Sequence, residues 1–239
     1  MRLYNALPLF PFFQKIIRDR SIKKRVLFPA LLSIELTNYC NARCIMCPRG
    51  KMTREKKHMD FSLFKKIILD SQNHPLKKIN LFWFGEPLVY SRFLEALSFI
   101  KKTVPGVKVN ISTNGGLLNR DISEKIVREN LASSINIDLD GMKKETAEKI
   151  RPGTKFEEVL GNIDSLLEMK TRYRDSTVKV SMTIIEMEEN KEEISAFYAY
   201  WKKRVKQVNV NNYNTWGGNV PGSHSGTRNR TNGFDFPCE

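Results

Sequence analysis

Two periodicities take turns along the chain. Leu31–Leu36 and Lys78–Phe84 are short runs of aliphatic, β-branched and aromatic residues that read as strands. Between them Phe61, Phe64, Ile67 and Ile68 recur at helical spacing behind the acidic Asp60, which predicts a helix over Phe61–Ser71. The exchange then repeats. Helices are expected over Phe93–Lys102, Asp121–Asn130, Phe156–Met169 and Glu192–Lys206, and strands over Val107–Thr113, Ser133–Leu139, Val178–Ile185 and Val208–Asn212. Strands joined through helices pair in parallel, so six of them predict a parallel α/β sheet with helices outside. The pattern does not choose between a flat doubly wound sheet and a barrel. After Asn212 it dissolves into Trp216-Gly217-Gly218-Asn219-Val220-Pro221-Gly222-Ser223, a polar linker.

Composition narrows the class. The chain has 239 residues, 41% hydrophobic and 28% charged, which suits one folded domain with a large core, or one domain and the start of a second. The opening stretch holds Leu7-Pro8-Leu9-Phe10-Pro11-Phe12-Phe13, which two prolines interrupt and which is too short to span a bilayer. Its basic residues follow the apolar run, unlike those of a signal peptide, so a cytoplasmic protein is expected. Charge is uneven: residues 1–30 carry +6 and residues 49–66 carry +5 of the net +14. Such a surface attracts an anionic substrate, for example a nucleotide-linked or phosphorylated one, or an acidic protein. Through the apolar-then-basic N-terminus it also suits an anionic membrane surface. A plain solvated basic face has the same composition.

The chemistry gathers at Cys40, Cys44 and Cys47, a C-x3-C-x2-C triplet directly after the first strand. A tetrahedral zinc site needs a fourth ligand, and the nearest candidate is His58, beyond a loop crowded with Lys51, Arg54, Lys56 and Lys57. A disulfide would leave an odd thiol. Three thiolates in one short loop also suit an iron–sulfur cubane, with three irons held by the protein and the fourth open to a small molecule.

This triplet resembles that of the radical SAM superfamily, in which S-adenosylmethionine chelates the open iron, and later strand ends continue the resemblance in order. Phe84-Gly85-Glu86-Pro87 resembles the family's Gly-Gly-Glu-Pro, with Phe84 in place of the first glycine. Ser112-Thr113-Asn114-Gly115 resembles the Thr-Asn-Gly segment near the cofactor's ribose. Asp138-Leu139-Asp140-Gly141 resembles a Ser-x-Asp-Gly segment with Asp138 at the serine, and Arg151 resembles the basic residue that follows it. Taken singly, each is an ordinary strand exit or polar turn. Two acids beside a cofactor carboxylate call for a compensating cation, the expected part of Arg151.

The resemblance implies Cys40, Cys44 and Cys47 as ligands of a [4Fe-4S] cluster. It implies Met46, Gly85, Glu86, Pro87, Ser112, Thr113, Asn114, Asp138, Asp140 and Arg151 as residues around S-adenosylmethionine. The implied fold is a partial (βα)6 TIM-type barrel over residues 31–214, with a basic N-terminal extension over 1–30 and an irregular tail over 215–239. The implied reaction is reductive cleavage of S-adenosylmethionine to a 5′-deoxyadenosyl radical, which takes hydrogen from a peptide, a sugar or another small molecule. A one-electron donor such as flavodoxin or ferredoxin would serve it. The stretch from Asp138 to Leu160 is most like members with a SPASM-type C-terminal extension, whose further cysteines bind auxiliary clusters. Cys238 stands where the first such ligand is expected, so a truncated piece of a longer protein is expected. The basic charge raises an alternative, an RNA-binding or RNA-modifying iron–sulfur protein. No stacking-aromatic RNA motif accompanies it, so no specific nucleic acid is expected. Near the strand ends, Phe82 and Trp83 are expected in the core, and Tyr213 and Trp216 at a pocket.

Overall fold

The computed structural model describes residues 28–218 and Val220; the basic stretch before residue 28, the tail beyond Val220 and Cys238 lie outside the described residues. Six strands form one parallel sheet: β1 Leu31–Ser33, β2 Lys78–Asn80, β3 Lys108–Thr113, β4 Ser134–Asp138, β5 Lys179–Glu186 and β6 Gln207–Asn212. Each pairs with its sequence neighbours, leaving β1 and β6 as the open edges. The connecting helices are α1 Phe61–Asp70, α2 Phe93–Thr103, α3 Arg120–Arg128, α4 Lys144–Ile150, α5 Phe156–Arg172 and α6 Ile194–Trp201. This is the partial (βα)6 barrel that the family resemblance implies, built on the parallel strand order that the periodicity predicts.

The two faces of the sheet differ. Ile79, Val109, Ile111, Ile135, Ile137, Val180, Met182 and Ile184 are buried and pack with Phe64, Ile68, Leu97, Ile100, Ile126, Ile163, Leu166 and Phe197 from the helices. Alternate positions on the strands are largely polar, and they bond to one another. Asn110 Nδ2 donates to Asn80 Oδ1 at 3.0 Å and Ser134 Oγ to Asn110 Oδ1 at 2.8 Å. Asn136 Nδ2 donates to Ser112 Oγ and Asp138 Oδ1, while Ser181 and Thr183 hydroxyls donate to Asn136 Oδ1. The inner face is therefore satisfied by side-chain hydrogen bonds instead of the branched aliphatic layers of a closed barrel.

Some boundaries depart from the periodicity. The helix expected at Glu192–Lys206 is a 3-10 turn, Lys191–Glu193, followed by the shorter α6. α4 was not predicted, because seven residues burying only Ala147 and Ile150 leave too little periodicity to read. β2 stops at Asn80 instead of Phe84. Beyond Leu81, whose N–H still reaches Asn110 O at 2.9 Å, the next amides leave the ladder: Phe84 and Gly85 donate to the Glu35 carboxylate. No helix among the described residues is long and apolar enough to cross a membrane.

Candidate active site

The loop after β1 carries the cysteine triplet, and its shape is set from across the sheet. Arg43 N–H donates to Pro152 O at 2.7 Å and Ile45 N–H to Ile150 O at 3.0 Å, so the turn after α4 clamps the loop. Gly153, at φ +98°, sits where a Cβ would stand 2.4 Å from Asn41 O, so only glycine allows the approach. On the other side the basic loop folds back antiparallel. Thr37 bridges His58, Asn38 Oδ1 accepts from Lys57 N–H at 2.7 Å, and Asn38 Nδ2 donates to Glu55 O at 2.7 Å.

Cys40, Cys44 and Cys47 are free thiols, each partly exposed, and all three open on one cavity of about 560 Å³. Burial raises the Cys40 thiol above its ordinary value and pushes that of Cys44 up to about 11, against the opposing effect of Arg151. No group of three His, Cys, Asp or Glu among the described residues is placed to share one metal ion. His58 is not in the cavity wall and lies between the Tyr39 and Tyr90 rings, which removes it as the fourth ligand of a zinc site.

Three strand ends complete the wall. After β2, Glu86 is buried at 3% exposure. Oε1 accepts from Thr113 Oγ1 at 2.7 Å and Leu88 N–H at 3.2 Å, and Oε2 accepts from Asn114 N–H at 2.8 Å. Burial outweighs these three bonds and raises its carboxyl to about 7. After β3, Asn114 Nδ2 donates to Asn41 Oδ1 at 2.8 Å and lies 3.8 Å from Cys40 Sγ, joining this turn to the cysteine loop. Ser112 Oγ donates to Asp138 Oδ2 at 2.9 Å, and burial raises the Asp138 carboxyl.

Behind the wall is a buried ion pair. Asp140 is fully buried; its Oδ2 accepts from Arg151 Nε and Nη2, both at 2.7 Å, and its Oδ1 from Ile185 N–H at 2.7 Å. Burial works against the Arg151 charge, but Asp140, Cys44 and Asp138 together hold the guanidinium protonated, above its ordinary value. Its Nη1 donates to Cys44 Sγ at 3.6 Å.

Eleven of the thirteen residues named from the sequence therefore line one cavity: the three cysteines, Met46, Gly85, Glu86, Ser112, Thr113, Asn114, Asp138 and Arg151. Pro87 and Asp140 stand behind it. Pro87 opens a 3-10 turn, Pro87–Val89, that Glu86 caps, and Asp140 holds Arg151. Met46 is also packed against Ile150 and Met187. Trp83 corrects an expectation: it is 59% exposed at the cavity rim instead of in the core, because β2 ends before it. Phe82 lines the cavity too, as does Trp216, whose ring lies 5.6 Å from that of Phe84. Tyr213 packs on the Met46 cluster. The sequence reading missed Glu35, Asn41 and Asn136. Of these Glu35 left a signal, the one charged residue in the first strand run.

Comparison with known proteins agrees with this geometry. The family model of the radical SAM superfamily matches residues 34–199. The chain is 34% identical over 143 residues to the tungsten-containing aldehyde ferredoxin oxidoreductase cofactor-modifying protein of Pyrococcus furiosus, covering 54% of this chain and 40% of that one. It is 30% identical over 175 residues to a GTP 3′,8-cyclase of Clostridium perfringens, covering 68% and 49%. It thus spans about half the length of the curated relatives it matches. Among solved structures it is similar to Streptococcus suis SuiB bound to the precursor peptide SuiA, with TM-score 0.71 and 14% identity over 94% of this chain and 49% of that one. It is also similar to anSMEcpe with bound AdoMet, with TM-score 0.63 and 19% identity over 77% and 51%. At these identities the structural likeness speaks for the fold alone.

Proposed function

Because the chain belongs to the radical SAM superfamily, whose cofactors are a [4Fe-4S] cluster and S-adenosylmethionine, we propose that Cys40, Cys44 and Cys47 hold the cluster and that the rest of the cavity wall binds S-adenosylmethionine. The observation that carries this reading is the opening of three free thiols of one loop onto the cavity that Glu86, Ser112, Thr113, Asn114 and Arg151 also line. The donor set fits: a cubane gives each cysteine an iron of its own and does not ask the three to converge on one ion. When bound, the pair of cofactors supplies one-electron cleavage of a sulfonium carbon–sulfur bond and a carbon radical that takes hydrogen from a substrate.

The chain's own residues bind and orient. The Arg151 guanidinium, kept charged by Asp140, stabilises the Cys44 thiolate and offers a cation to a carboxylate in the cavity. Glu86 and the polar β3 end offer acceptors and short donors at the opposite wall. Asn114 locks the β3 turn to the cysteine loop, so the metal-binding and cofactor-binding parts of the wall keep one geometry. Arg43, Arg49 and Lys56 also line the cavity and the aromatic rings of Trp83, Phe84 and Trp216 stand at its rim. This supports a peptide or small-molecule substrate that carries negative charge.

The test is anaerobic reconstitution with iron and sulfide, followed by reduction in the presence of S-adenosylmethionine. The expected results are iron–sulfur charge-transfer absorption and release of 5′-deoxyadenosine. Cys44→Ala should lose both while keeping the circular dichroism of the native fold, since the cysteine loop lies at a strand's C-terminal end. A full complement of iron in Cys44→Ala would refute the ligand assignment.

A further inference from the structure

The backbone on either side of Cys44 is bonded to the backbone on either side of Arg151. Arg43 N–H meets Pro152 O and Ile45 N–H meets Ile150 O, so the two residues face each other as the middle rung of a short ladder. On that rung Arg151 Nη1 donates to Cys44 Sγ at 3.6 Å. The rest of the guanidinium is held from behind. Nε and Nη2 both reach Asp140 Oδ2 at 2.7 Å, and Asp140 is anchored in turn through Oδ1 to Ile185 N–H. Asn190, 1% exposed, ties the same corner by donating to Asp140 O and Ile185 O while accepting from Met187 N–H. All three side chains are buried, and their bonds fix where the guanidinium stands.

The three thiols are unequal as a result. Cys40 Sγ accepts from neutral donors, Ala42 N–H at 3.4 Å and Asn114 Nδ2 at 3.8 Å. Among the described residues Cys44 alone of the three has a charged donor on its sulfur. The Asp140–Arg151 pair carries no net charge, but its positive end is on Cys44 and its negative end lies behind, in a buried medium that screens poorly. Taking up an electron makes an iron–sulfur site more negative, so a cation and an N–H on one sulfur favour the reduced state over the oxidised one. We propose that the Asp140–Arg151 pair is a buried dipole that raises the reduction potential of a cluster held by Cys44, both residues acting through that sulfur as positioning residues. The inference rests on the cofactor reading above, and it concerns the thiolate side of the cluster, whether or not S-adenosylmethionine is bound.

The experiment is a redox titration of the cluster-loaded protein without S-adenosylmethionine, followed by electron paramagnetic resonance of the reduced state. Asp140→Asn/Arg151→Gln replaces the pair by two neutral amides, so no buried charge is left alone and Asn can still accept from Ile185 N–H. Asp140→Leu/Arg151→Met replaces it by apolar side chains. Both double variants should have a midpoint lower than wild type by at least about 59 mV, a tenfold shift for one electron. Arg151→Lys keeps the cation beside Cys44 and should stay closer to the wild-type midpoint than either. Either double variant with full iron and a midpoint at or above that of wild type overturns the tuning role while the cofactor reading stands. Failure of both to load a cluster that wild type accepts also overturns it, because the pair then serves assembly. Wild-type protein that takes up no cluster overturns both readings.

Discussion

Gly85→Ala tests the packing that fixes the turn into the cavity. Gly85 is not among the glycines at positive φ, so its need for a bare Cα is a matter of space. A Cβ built there stands 1.8 Å from Thr37 O, 2.7 Å from Thr37 C and 2.9 Å from Asn38 Cα. All three contacts are backbone, and that backbone is itself pinned by the Thr37–His58 bridge and by Asn38 N–H donating to Lys57 O. No side chain can rotate away, so one segment must move by more than 1 Å, on the order of the gap to a normal contact. Overpacking costs about 1–3 kcal/mol, and a backbone-on-backbone clash belongs at the upper end. At about 2–4 °C per kcal/mol for a chain of this size, the melting temperature should fall by about 6–12 °C. Gly161→Ala is the matched control. It lies in α5 with nothing within 4 Å of its Cβ position, so it should gain up to about 1 kcal/mol from helix propensity. Thermal unfolding of the metal-free proteins, followed by circular dichroism, reads both changes. A Gly85→Ala protein that melts within 2 °C of wild type, where about 6 °C is expected, refutes the steric argument.

Two further outcomes follow from buried charge. Glu86 titrates near 7 in the folded protein against an ordinary value of 4.5, so the folded state holds its proton longer than the unfolded state and stability falls as pH rises between those values. The full penalty, on the order of 3 kcal/mol, is present above pH ~7 and absent below pH ~4.5. Urea unfolding of metal-free wild type and Glu86→Gln across that range should show the wild type losing ground to the variant; a constant difference would falsify the burial argument. Asp140→Asn removes the charge paired directly with Arg151 and leaves the buried guanidinium only the weaker attraction of Asp138, which should cost about 3–5 kcal/mol in the same assay. A loss below about 1 kcal/mol, the range of an exposed pair, would show that water reaches the site.

The order of the strands and of every helix except α4 was legible because those helices carry an apolar stripe that the sheet must cover. In α5, Val159, Ile163, Leu166 and Met169 are all buried, as their spacing requires. The cysteine triplet and the residues at the strand ends were legible because they sit close together in sequence and come in a fixed order. What escaped was whatever depends on partners far along the chain. Glu35 acts on amides about fifty positions away, and Asn136 is a single amide that joins β3, β4 and β5. Spacing does not mark such residues, and the lone acid in the first strand run was a sign without a partner to read it by. The end of β2 escaped for the same reason, since a strand run looks apolar to Phe84 whether or not a carboxylate elsewhere takes its amides. Trp83 followed that error from the core to the rim.

The clamp on the cysteine loop sets an order of events during synthesis. The thiols leave the ribosome before the partners that shape their loop, Ile150, Arg151 and Pro152, which lie more than a hundred residues downstream, with the Arg151–Cys44 contact spanning 107 positions. Closing a loop of that length costs entropy that only the intervening β-α units, once folded, can offset. A nascent chain ending before Pro152 therefore carries three free cysteines without the partners that shape their loop. If these cysteines hold the cluster as proposed, metal delivery would have to wait for the fourth strand and its following helix, and the half-made protein would have to keep its thiols reduced until then.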